Sequence, residues 1–167
     1  MRYFKEYNGI LQEYNGLGIS RAMLEKMGYV YKTNLTEPLN KLKVENNQIV
    51  LKTEEDFFEE KQKNEKDQFE QYYINNPDLA KRVLEFKNIL DFLNLSYDAL
   101  SITPEIIANT VKNNKNISEN DKETYISNAL SIWQFGIIFN LKFLEVNNAE
   151  VFAFYNLEKL IKYLPKL

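Results

Sequence analysis

From Thr124 to Val146 the chain carries two apolar stripes at helical spacing, and this stretch limits what the rest can fold into. One stripe is Ile126, Leu130, Trp133, Ile137, Leu141 and Leu144. The other is Ile132, Phe135, Phe139, Phe143 and Val146. A helix with one apolar stripe lies on a surface, whereas a helix apolar nearly all round is covered on most sides. The pattern therefore predicts a central helix, wrapped by others, with the single tryptophan inside and a bend near Gly136.

The other helices are placed by their start signals. Thr53 followed by Asp56 has the spacing of a capping box, so a helix begins there. Its middle, Glu59–Gln68, has no apolar side chain and predicts a solvated spacer. Asn76-Pro77 starts the next helix, with Leu79, Val83, Phe86, Leu90 and Leu93 at spacings of four and three. Thr103-Pro104 and Ser118 with Asp121 mark two further starts. Val151, Phe154, Leu157, Ile161 and Leu164 stripe a last helix, which ends at Pro165. A hairpin, Ile137–Val146 with Ala149–Tyr155 turned at Asn147-Asn148, is the alternative to two helices there.

The first third reads differently. Asn8-Gly9 lies between aromatic and apolar runs, as in a tight hairpin. Asn46-Asn47 separates Leu42–Glu45 from Gln48–Leu51 in the same way. Ser20 caps a short helix, Arg21–Met27, closed by Gly28, and Tyr29–Tyr31 reads as a strand. The fold expected is α+β, mainly α. A small β-rich unit (1–53) and a spacer helix (54–76) precede a C-terminal helical bundle (77–167) built around the central helix.

Composition removes whole classes of chemistry. With neither histidine nor cysteine, Ser-His-Asp and Cys-His catalysis, disulfides and cysteine zinc sites are all impossible within the chain. No glycine-rich phosphate loop exists, and no carboxylate pair stands out, so no catalytic residue, metal ligand or cofactor is assigned. A net charge of -3 gives no whole-chain attraction to nucleic acid or anionic membrane. The start Met1–Tyr7 lacks the apolar run of a leader, and Thr124–Leu141 holds too many polar residues to span a bilayer. A cytoplasmic protein is expected.

The densest charge is Glu54, Glu55, Asp56, Glu59 and Glu60. Such a cluster suits docking on a basic patch of a partner, and it also suits the positive end of its own helix. Tyr72 and Tyr73, further along the same helix, are the candidate apolar anchors, because tyrosine buries contact area at small entropic cost. Gly18-Ile19-Ser20-Arg21-Ala22-Met23-Leu24 has the outline of a helix-turn-helix turn and recognition helix, the alternative of direct DNA binding.

Met1–Lys5, Asn8-Gly9, and Val44–Val50 leading into Thr53-Glu54-Glu55 resemble the layout of small bacteriophage tail-fibre-assembly and related prophage proteins, over about the first 60 residues. The resemblance implies a phage or mobile-element origin and action by binding. Two roles follow from it: an inhibitor of a host defence complex, anti-CRISPR-like, or an accessory factor or chaperone in tail assembly. The partner expected is a larger protein or ribonucleoprotein complex. The oligomeric state is not legible in the sequence.

Overall fold

A computed structural model describes residues 1–98, 102–146 and 148–166. The fold is α+β, mainly α, and the chain divides into two compact units, Met1–Gln62 and Lys63–Leu167.

In the first unit, β1 (Arg2–Tyr7) and β2 (Ile10–Glu13) form the hairpin expected at Asn8-Gly9. Both turn residues have positive φ, 50° and 76°, as the tight two-residue turn requires. Helix α1 (Arg21–Lys26) starts at Ser20, whose Oγ accepts from Met23 N. β3 spans Tyr31–Thr33, two residues later than the pattern predicts, and pairs with the other side of β1. A single helical turn, Leu39–Lys41, leads into the hairpin of β4 (Leu42–Glu45) and β5 (Gln48–Leu51). Phe4, Leu42 and Ile49 form the small core between the two sheets. What precedes α1 is β2 and an irregular segment. The outline at Gly18–Leu24 therefore has no helix before it of the kind a helix-turn-helix unit packs across its recognition helix.

Helix α2 (Glu54–Asn75) begins in the first unit and ends in the second. Helix α3 (Pro77–Phe92) is capped by Asn76, and Leu79, Val83, Phe86 and Leu90 are buried at the spacing read from the sequence. Helix α4 (Pro104–Asn113) starts at Thr103, whose Oγ1 accepts from Ile106 N at 3.2 Å. The buried Lys122 donates from its ammonium to the Lys112 carbonyl, a cation at the C-terminal end of α4.

The central helix is a composite. Helix α5 (Lys122–Ser131) runs without interruption through a π-helical segment, Ile132–Ile138, into α6 (Phe139–Phe143). The irregularity falls at Gly136, where the sequence predicts the bend. The Asn140 side chain donates to the Gly136 carbonyl. Gly136 lies against Arg82 of α3: a Cβ there would come within 3.1 Å of the Arg82 methylenes. One stripe is in the core as predicted, with Trp133 stacked on Phe86 at 5.0 Å between ring centres and Ile137 and Leu141 buried. The second stripe is covered only at its ends, where Ile132 and Val146 are half-buried. Phe135, Phe139 and Phe143 are exposed, because α3 and the last helix occupy only one side of the composite helix.

The C-terminal segment is helical, α7 (Ala149–Lys162), and not the alternative hairpin. Asn147 of the expected break lies outside the described residues. The buried face of α7 is Ala149, Ala153, Leu157, Leu160 and Ile161. Leu157 and Ile161 of the predicted stripe are buried and Leu164 packs against the core, while its first residue is corrected, since Val151 is exposed. Size misleads here: the helix packs its first turns closely through alanines, and its bulkier Val151 and Tyr155 face outward.

Candidate binding surfaces

The five acids at the start of α2 do not form one uniform patch. Asp56 closes the capping box. Its carboxylate accepts from Thr53 N at 2.7 Å, and Thr53 Oγ1 accepts from Asp56 N at 3.2 Å. The same carboxylate accepts from Lys43 Nζ of β4 at 2.8 Å. The Lys43 ammonium, helped by the Thr53 amide, lowers the Asp56 pKa to about 2. Glu60 pairs with Lys52, at the end of β5, at 2.6 Å. Asp56 and Glu60 thus fasten the helix start to the β4–β5 hairpin. Glu54, Glu55 and Glu59 are exposed and make no ion pair among the described residues. Phe58 lies among them, one helical turn after Glu54 and Glu55, and is 60% exposed.

Tyr72 and Tyr73 serve the second unit's own core. Tyr73 is buried, and its hydroxyl donates to the Leu160 carbonyl of α7. Burial also pushes its pKa upward. Tyr72 is half-buried, edge-on to Phe69 at 5.8 Å and to Phe152 at 5.3 Å, and accepts from Gln68 Nε2. Phe69 and Tyr73 are the apolar residues at which α2 joins the helical core, and Tyr73 has no accessible face to offer a partner. Glu65, in the stretch read as a solvated spacer, accepts from Lys159 and from the Tyr163 hydroxyl, and is the one residue of that stretch that is not exposed.

Of the exposed apolar side chains outside these residues, two surfaces bear on binding. One is Phe58. The other is the line of Phe135, Phe139 and Phe143 along the composite helix, with Phe139 and Phe143 edge-to-face at 4.8 Å. The sequence does carry a signal for that exposure. Followed backwards at helical spacing, the face runs through Ser131, Asn128 and Thr124, all polar. The Trp133 face continues backwards through Leu130 and Ile126.

The displaced carboxylates share a direction. Glu13, Asp56, Glu65 and Asp91 are each held below the ordinary value, in every case chiefly by a hydrogen bond from a cation: Arg2, Lys43, Lys159 and Lys87. A carboxyl proton donor near neutral pH needs the opposite displacement. Among the described residues no cluster of three acids is placed to hold a metal ion, and no helix is long and apolar enough to cross a membrane. Comparison with protein-family models, with curated proteins and with solved structures finds no match.

Proposed function

We propose that this protein acts by binding and not by catalysis. It docks the first turns of α2 on a basic surface of a larger protein or ribonucleoprotein complex in the cytoplasm and blocks it. The observation that supports this reading is the arrangement at the helix start: Glu54, Glu55 and Glu59, exposed and without ion pairs among the described residues, around the exposed ring of Phe58. Exposed charges of one sign steer encounter, and a desolvated aromatic ring slows departure. The resemblance of the first 60 or so residues to prophage proteins favours a host defence complex as the target, so the reading is an anti-CRISPR-like inhibitor. An accessory role in tail assembly would use the same surface with a different partner.

Affinity capture from host lysate, followed by binding kinetics on the captured complex, tests the proposal. The combined variant Glu54→Lys, Glu55→Lys and Glu59→Lys should slow association by about tenfold or more at low salt, and the loss should shrink as salt rises. Phe58→Ala should leave association unchanged and accelerate dissociation. Capture of tail proteins in place of a defence complex would move the reading to tail assembly. Unaltered kinetics in both variants would reduce the acidic turns to the local role of favouring their own helix dipole.

A further inference from the structure

The aromatic line on the composite helix needs an occupant. Phe135, Phe139 and Phe143 are 68%, 47% and 70% exposed, while the opposite face, Trp133, Ile137 and Leu141, already fills the core. The π-helical segment sets this line. In an ordinary α-helix, residues eight apart are displaced by about 80° around the axis. A π-helix has about 4.4 residues per turn, so the four steps from Phe135 to Phe139 fall short of a full turn by roughly 30°. The next four, in α6, overshoot by about 40°. The two deviations nearly cancel, and Phe135 and Phe143 come onto one line with Phe139 beside it.

We propose that a second copy of this chain covers this line, with the two composite helices packed antiparallel about a twofold axis near Phe139. The inference does not depend on the function proposed above, which uses the start of α2.

Three features single out a second copy. The spacing is symmetric, four residues on either side of Phe139, so a twofold sets Phe139 beside its counterpart and Phe135 of each copy against Phe143 of the other. That is the reciprocal pairing a closed dimer requires. Charge is sparse along the line: between Ser131 and Phe143 the one charged residue is Lys142, and Arg82 of α3 flanks the line beside Gly136. The area also matches. At about 150–250 Å² per aromatic ring and the exposures above, the three rings offer roughly 300–450 Å² per copy. Two copies then bury roughly 600–900 Å² of aromatic surface, the apolar share of a dimer interface that totals about 1,200 Å².

Sedimentation equilibrium of the full chain, from micromolar to several hundred micromolar, provides the test. The expected result is a concentration-dependent rise from 19.8 kDa to twice that mass and no further. Phe135→Glu and Phe143→Glu, each at a strongly exposed ring, should weaken the association by more than roughly tenfold and leave the far-ultraviolet circular dichroism unchanged. Phe58→Glu should leave the association intact. A 19.8 kDa mass throughout would overturn the proposal. So would a folded Phe143→Glu protein that dimerises like the parent, or growth beyond two copies.

Discussion

Asp56 shows how one side chain can carry both a local and a tertiary duty. It closes the helix start through Thr53 and binds the hairpin through Lys43. Its pKa falls from 3.8 unfolded to about 2 folded. A group whose folded pKa is lowered contributes stability that is whole above the unfolded value and is lost as pH falls through the folded one. The Asp56 contribution is therefore complete above about pH 5 and is lost progressively down to about pH 1. An acid titration of the Asp56 carboxyl by NMR should place its midpoint near 2, and Asp56→Asn should flatten the acid dependence of the first unit between those limits. A midpoint at the unfolded value would show that the Lys43 pair does not persist in solution. Thr53→Ala removes the other half of the box and should cost about 1 kcal/mol.

Among the elements, those whose cause lies within a few residues are legible in the sequence. Thr53, Asn76 and Thr103 mark helix starts because a side-chain oxygen can reach an amide three residues on, and Asn8-Gly9 and Asn46-Asn47 mark hairpins because both tolerate positive φ. What depends on distant partners is not legible there. Between Ile132 and Val146 the two stripes on the composite helix look alike in sequence; only the polar Thr124, Asn128 and Ser131 behind the Phe135 face hint that it is open, and the position of α3 and α7 decides that Trp133 is covered and Phe139 is not. The tyrosines of α2 mislead for the same reason, since Tyr73 meets a carbonyl 87 residues away. Gly136 tests the contact between α3 and the π-helical segment. Gly136→Val adds branches where the Arg82 methylenes already lie at 3.1 Å from a Cβ, and should destabilise by about 1–3 kcal/mol. An unchanged thermal midpoint would mean that Arg82 swings aside freely.

At the scale of the whole molecule the two units are unequal. The core of the first rests on Phe4, Leu42 and Ile49, whereas that of the second draws on α2 through α7. A small core leaves little margin over chain entropy. Phe4→Ala should cost about 3–5 kcal/mol, enough to unfold the first unit. Trp133, buried against Phe86 in the second, should keep the blue-shifted emission of an enclosed indole in that variant. A red shift on Phe4→Ala would show that the two units fold as one.

The turn at Asn8-Gly9 also gives the molecule a chemical clock. An asparagine followed by glycine loses ammonia when the glycine nitrogen attacks the side-chain carbonyl, and hydrolysis of the resulting ring leaves aspartate or its isomer. The attack needs a backbone rotation that the closed hairpin, with Asn8 held at φ 50°, forbids. Asn15-Gly16 has the same sequence in an irregular, exposed segment and no such restraint. Ageing should therefore begin at Asn15, and the slower conversion at Asn8 should proceed at the pace at which the hairpin opens. Peptide mapping of stored protein would then read the opening rate of the first unit from two asparagines, one protected by its turn and one not.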